Sequence, residues 1–396
     1  MSLNSTPVAD RLFIGIFGKR NAGKSSLINA LIGQKLSIVS EVPGTTTDPV
    51  QKTMELLPLG PVIIIDTPGL DDEGELGCQR VEKAYQTLRK CDIALLVIDG
   101  TAGMSDADNK ILAQIKQRDL PYLIVANKSD LVSVELKPIV GEEQFFIAVS
   151  ALSGKKIAEL KERIAVIVKE PQAMLPIIAD LLAEGDLVVL VTPIDASAPK
   201  GRLILPQQQT IREILEAHAF CMVVQESELS AALNATKQKP RMVVTDSQAF
   251  KKVAAVTPED IPLTSFSILF ARHKGSLHIL LEGVVVLDKL KDGDRVLIAE
   301  GCTHHRQCED IGTIKLPAWL TNYTGKELNF VFCSGTEFPA DLSPYSLLIH
   351  CGGCMLNEKE MRYRVTHTLT QSVPITNYGM VIAQVNGILQ RSLQFK

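Results

Sequence analysis

Two groups of residues in this chain combine types and spacings that do chemistry. The first is Gly18-Lys19-Arg20-Asn21-Ala22-Gly23-Lys24-Ser25-Ser26, which fits the pattern G-x-x-x-x-G-K-[ST]. In such a loop, glycines let backbone N–H groups close around phosphates, the lysine reaches the terminal phosphates and the following hydroxyl holds magnesium. The second group is Cys302-Thr303-His304 and, after a long gap, His350-Cys351-Gly352-Gly353-Cys354. Three thiols and two imidazoles in two tight clusters read as the ligands of a soft metal or an iron-sulfur cluster.

Spacing leaves zinc and iron-sulfur chemistry both open for the second group. A structural zinc site uses two C-x-x-C-like knuckles and nothing else, whereas C-x-H with H-C-x-x-C offers surplus imidazoles. That surplus favours three cysteine ligands and one exchangeable position, for which His304 and His350 compete. His305, Cys308 and Cys333 are nearby spares that read as packing or exposed groups. There is no C-x-x-x-C-x-x-C, so the chain is not itself a radical-SAM enzyme.

The elements that must position these groups are legible as apolar runs. Phe13 to Phe17 has strand length and leads into the phosphate loop, and Ser26 to Ile32 has helical spacing, the strand-loop-helix context the motif requires. Val62 to Ile65 ends in Asp66-Thr67-Pro68-Gly69, where a carboxylate can approach magnesium through water and the Gly69 N–H can meet a γ-phosphate. Leu123 to Ala126 ends in Asn127-Lys128-Ser129-Asp130, whose last carboxylate accepts both the N1 and N2 protons that guanine has and adenine lacks. Phe146 to Val149 delivers Ser150-Ala151, whose backbone closes on the guanine O6. Four motifs at successive strand ends put GTP or GDP at the carboxyl edge of a parallel sheet. Thr46, in Pro43-Gly44-Thr45-Thr46-Thr47-Asp48, is the expected magnesium threonine beside Ser25. Cys78 and Cys91 read as packing thiols.

Beyond Pro171 and Pro176, which mark a linker, apolar strands alternate with helices. The expected order is strand 186–192, helix 207–219, strand 222–225, helix 229–235, strand 242–245 and helix 247–256. This reads as a small parallel α/β layer whose edges a second copy could cover, hence a homodimer. His218 and Cys221 lack further partners and read as structural. Residues 265–283 are apolar and ambiguous between helix and strand. Strands at 295–299, 329–333 and 346–349 follow, the first and last running straight into the two ligand clusters. The expected fold class is therefore α/β in three parts: a P-loop GTPase domain (1–170), an α/β dimerisation domain (171–265) and an α/β iron-sulfur domain (266–396).

Length and composition agree. At about 100–200 residues per domain, 396 residues suggest several domains. The net charge of -4 argues against a general nucleic-acid binder. No apolar run approaches the roughly 18 residues of a membrane span, and the first residues lack the pattern of a signal peptide. The expectation is a cytoplasmic protein whose clustered cysteines serve metal chemistry rather than disulfides.

The four nucleotide motifs resemble those of the translation-factor-like GTPases, within them the TrmE/Era-like branch that includes tRNA-modification and ribosome-assembly GTPases. Leu70 follows Gly69 where small signalling GTPases keep a water-orienting Gln, so turnover should be slow. Asn21 with residues 43–48 is similar to the potassium-activated subgroup, in which an Asn side chain and a switch-loop backbone hold K+ against the phosphates. The alternative is that Asn21 only stabilises the turn.

Taken with the small α/β segment and the C-terminal C-x-H and H-C-x-x-C, the whole chain resembles the maturation GTPases of the FeFe-hydrogenase, the HydF family. The resemblance implies a scaffold and carrier. Cys302, Cys351 and Cys354 would bind a 4Fe-4S cluster, with His304 and His350 at its fourth site or just behind it. A transient diiron precursor would come from two radical-SAM partner proteins and go to the apo-hydrogenase, GTP gating partner association. A different reading is a GTPase of ribosome or tRNA maturation with a zinc-stabilised C-terminal domain.

Overall fold

Leu12–Phe17 (β1) is apolar at every position but Gly15, and five of its six residues are buried. A strand of that composition needs cover on both faces. The computed structural model describes residues 11–33, 40–42, 50–69, 86–132, 143–168, 175–194, 203–301, 311–335, 338–353 and 356–395. It divides into the units Met1–Gln172 and Ala173–Lys396.

In the first unit β1 is the middle strand of a seven-stranded sheet. The others are β2 (Ser40–Val42), β3 (Val50–Leu56), β4 (Gly60–Asp66), β5 (Ile93–Asp99), β6 (Tyr122–Asn127) and β7 (Phe146–Ala148). Their order is β2-β3-β4-β1-β5-β6-β7. β3 runs antiparallel to β2 and β4, and the remaining pairs are parallel. Alternate residues of β1 face opposite layers. Ile14 and Ile16 join helices α1 (Lys24–Ile32) and α3 (Ile157–Val168) through Leu27, Leu31, Leu160 and Ile164. Phe13 and Phe17 join helix α2 (Asp106–Gln117) through Ile111 and Ile115. The start of α2 is set by a capping box in which Ser105 and Asp108 satisfy each other's backbone N–H.

The second unit holds two four-stranded, wholly parallel sheets. In the first, β8 (Leu187–Val191), β9 (Phe220–Val224), β10 (Met242–Thr245) and β11 (Leu263–Ser265) take the order β11-β10-β8-β9. They are joined through α4 (Leu205–Glu216), α5 (Leu229–Ala235) and α6 (Phe250–Val256). Helix α4 starts two residues before the expected position because Pro206 is accommodated in its first turn. It ends earlier because His218 turns left-handed, with φ 55°. The ambiguous stretch 265–283 folds as two short helices, α7 (Phe266–His273) and α8 (Leu277–Val284).

The second sheet contains β12 (Arg295–Glu300), β13 (Asn329–Ser334), β14 (Leu347–His350) and β15 (Ile375–Asn377), in the order β13-β12-β14-β15. Helices α9 (Leu316–Thr324), α10 (Glu358–Thr370) and α11 (Tyr378–Val385) accompany it. One continuous buried apolar cluster runs through both sheets, from Ile177 to Phe395. Helix α8 lies directly on β15: Thr376 Oγ1 donates to the Leu280 carbonyl at 2.9 Å. At Gly283 any Cβ would stand 1.9 Å from the Ile375 carbonyl oxygen.

Candidate functional site

The nucleotide motifs converge at the carboxyl ends of the first sheet. Register aligns Ile16 of β1 with Asp66, and Asp99 of β5 with Asn127. Between β1 and α1, Gly23 takes φ 90°, and a Cβ on it would sit 2.2 Å from Asn127 Nδ2. Only glycine allows this backbone to approach the neighbouring motif so closely. Gly18, also at positive φ, is packed against the Val97 carbonyl. Ala22 and Lys24 are buried, whereas Asn21, Ser25 and Ser26 are exposed along the mouth of the loop. Asn21 is left-handed, with φ 63°.

Lys24 Nζ donates to the carbonyls of Gly18 at 2.9 Å and Lys19 at 2.7 Å, which hold the ammonium across the loop. Ser25 Oγ donates to Asp66 Oδ2 at 3.2 Å, so the hydroxyl and carboxylate expected at magnesium are adjacent. Burial raises the Asp66 carboxyl above the ordinary carboxylate range, against the opposing Ser25 hydrogen bond and the charges of Lys24 and Lys52. Thr67 Oγ1 donates to the Ile16 carbonyl at 2.6 Å, tying this motif to β1, and Gly69 follows half-buried. Thr46 lies outside the described residues.

Asn127 is the joint of the site and is 2 % exposed. Its Nδ2 donates to the carbonyls of Ala22 at 3.2 Å and Gly23 at 3.4 Å, while its Oδ1 accepts from the Ala151 N–H at 3.0 Å. One amide thus spans the phosphate loop, the Asn127–Asp130 tetrad and the Ser150-Ala151 turn. Ser150 is fully buried and its Oγ accepts from Ser153 N–H at 3.1 Å. Asp130 stands exposed beyond them. Asp99 was not read from the sequence. Burial disfavours its charge, but Lys128 at 2.6 Å and Thr101 outweigh that and hold its carboxyl low. An acid closing an apolar strand, as Asp66 does, was the available signal.

In the second unit the strands that run into the two ligand clusters are parallel neighbours. β12 pairs with both β13 and β14, aligning Glu300 with Ser334 and Ala299 with His350. Gly301, which precedes Cys302 in sequence, donates its N–H to Cys351 Sγ at 3.1 Å. Gly353, which precedes Cys354, donates to the same sulfur at 3.4 Å. Cys302, His304 and Cys354, with His305 and Cys308, lie outside the described residues. Among the described residues no group of three His, Cys, Asp or Glu side chains is arranged to hold a metal. Of the other cysteines, Cys333 lies in β13, half-buried, and Cys78 is outside the described residues. Cys91 is buried with its Sγ 3.2 Å from the Thr87 carbonyl, and burial pushes the Cys221 thiol up to about 11.

His350 is 1 % exposed. Its Nδ1 lies 2.7 Å from the Cys351 carbonyl and its Nε2 lies 3.0 Å from Arg364 Nη1. Burial, then the Arg364 charge, lowers its pKa to about 3, so the ring is neutral. Arg364 and its carboxylate partner Glu360, 2.9 Å away, were not anticipated. On a helix surface an i, i+4 Glu–Arg pair is commonplace, and nothing in the sequence distinguishes a buried one.

Residues 177–275 match the hydrogen maturase F dimerization domain, and residues 278–395 match the hydrogen maturase F tetramerization domain. The chain belongs to the hydrogen maturase F family. Residues 13–128 match the 50S ribosome-binding GTPase family. The chain is similar to GTPase Der of Kosmotoga olearia, at 35% identity across 42% of this chain and 41% of that protein. GTPase Der of Wolinella succinogenes is 39% identical across 38% of this chain and 34% of its own length. The tRNA modification GTPase MnmE of Moorella thermoacetica is 35% identical across 42% and 37%. The chain thus spans about two fifths or less of these relatives. No helix among the described residues is long and apolar enough to cross a membrane.

Proposed function

We propose that this hydrogen maturase F-type chain is a GTP-hydrolysing scaffold that seats a 4Fe-4S cluster on Cys302, Cys351 and Cys354. It receives a diiron precursor as cargo from two radical-SAM proteins and passes it to apo FeFe-hydrogenase. The observation that carries the cluster reading is the convergence on Cys351 Sγ. The N–H groups of Gly301 and Gly353, each the neighbour of another candidate cysteine, both donate to that sulfur. N–H donors directed at a sulfur stabilise it as thiolate, and strand ends supply rigid support. A cluster on these cysteines would supply a metal site with one exchangeable corner.

In the GTPase domain the phosphate-loop N–H groups and Lys24 bind the phosphates. Ser25, with Thr46 and with Asp66 through water, holds Mg2+, and Asp130 selects guanine. Asn21 holds K+, and with Leu70 in place of a water-orienting Gln the turnover is slow. The GTP or GDP state gates association with the partner proteins. A role in ribosome or tRNA maturation draws support from the N-terminal relatives alone, whereas the hydrogen maturase F matches cover more than half of the chain. The family descriptions also support self-assembly to a dimer or beyond.

The test is anaerobic reconstitution with iron and sulfide. Wild-type chain is expected to turn brown and retain both elements, and Cys302→Ala to lose most of them. A colourless wild-type protein carrying zinc would overturn the cluster reading.

A further inference from the structure

Beneath Cys351 lies a buried polar cluster that no motif announces. Arg364, on α10, has no exposed surface. Its Nε donates to Glu360 Oε1 at 2.9 Å, one Nη to His350 Nε2 at 3.0 Å and the other to the Gly335 carbonyl at 2.5 Å. The Phe338 ring lies 4.9 Å from the guanidinium carbon. The guanidinium therefore clasps the ends of β13 and β14 to α10. A buried arginine with a satisfied fork is costly to assemble and destructive to break, which suits a positioning device.

The geometry also decides the state of His350. An arginine only donates, so the Nε2 facing it accepts, and the ring proton sits on Nδ1. That N–H donates to the Cys351 carbonyl at 2.7 Å. Both ring nitrogens are thereby used, and neither has a lone pair left for a metal. The Cys351 N–H is in turn bonded to the Ala299 carbonyl at 2.8 Å. The backbone of Cys351 is held from both sides while its sulfur accepts the Gly301 and Gly353 N–H groups.

We propose that Arg364 is a positioning residue of the cluster seat, acting through His350, which serves as a hydrogen-bonded support for Cys351 and not as the fourth ligand. The proposal rests on the iron-sulfur reading above and narrows it, removing one of the two imidazoles from the exchangeable corner. Metal-site supports of this kind change ligand retention without touching the metal.

The experiment uses the full-length chain, reconstituted anaerobically, as wild type, H350N, H350A, R364M and the paired variant R364M/E360M. The pair removes both buried charges should R364M alone fail to fold, and circular dichroism checks each variant. Asn places an amide N–H near the position of Nδ1, so H350N should keep iron and sulfide like wild type. Its reduced cluster should also show an unchanged nitrogen coupling in pulsed electron paramagnetic resonance. H350A and the folded Arg364 variant should surrender iron to a chelator about 10–100-fold faster, with GTP turnover unchanged. Loss of a strong nitrogen coupling in H350N, or iron retention in H350A equal to wild type, would overturn the proposal. A wild-type chain that takes up no iron and sulfide would overturn the cluster reading and this proposal with it.

Discussion

Single side chains in this molecule often serve several segments at once. Asn127 donates to two phosphate-loop carbonyls and accepts from Ala151. Asn127→Ala should cost about 1–3 kcal/mol, because the Ala22 carbonyl and the Ala151 N–H lose the hydrogen bonds that Asn127 makes to them. It should also weaken GDP binding by tenfold or more, as read by fluorescent-nucleotide titration. Asp66 makes a pH prediction. Burial raises its carboxyl pKa, so the fold gains from protonation at low pH and loses that gain as pH rises through the folded value. Magnesium needs the carboxylate and pulls the other way. The Mg2+ concentration giving half-maximal GTP turnover should rise as pH falls from about neutral toward about 5, and a flat requirement would contradict a raised Asp66 pKa.

At the scale of elements, close backbone approach and carboxylate capping matter more than propensity. Helix α8 meets β15 at Gly283, where a Cβ would overlap the Ile375 carbonyl. Gly283→Ala should cost about 1–3 kcal/mol in thermal unfolding of the second unit through overpacking. Glu213 on α4 accepts three backbone N–H groups, from Ile177, Ile178 and Ala179, at 2.9–3.0 Å. Glu213→Gln should cost about 1.5–3 kcal/mol, the worth of charged hydrogen bonds. It should also speed hydrogen exchange at those three amides while distant strands stay protected.

At the scale of the whole molecule, strand β9 closes one sheet with Phe220 61% and Val223 42% exposed. An apolar edge of that kind invites pairing with a second chain, in keeping with the dimerization description of residues 177–275. Light scattering should give a mass above one chain, and Phe220→Lys should lower it. GTP turnover by the intact chain should rise several-fold when potassium replaces sodium. Equal rates would leave Asn21 as a turn-former only.

Four nucleotide motifs and their strand-end positions were legible because phosphate and guanine recognition use short contiguous segments with obligatory residue types. The strands leading into Gly301 and Cys351 were legible from their apolar runs, since strands covered on both faces tolerate little else, while their parallel pairing was decided by the fold. Other features depend on which faces turn inward. Asp99 beside Lys128, Arg364 beneath His350 and Glu213 over Ile177 join residues far apart in sequence or bury pairs that elsewhere would be solvated. The sequence by itself determined the nucleotide chemistry and the three candidate thiolates. Tertiary structure alone decided that His350 spends both ring nitrogens on Arg364 and Cys351, because a lone pair's availability depends on what is packed against it.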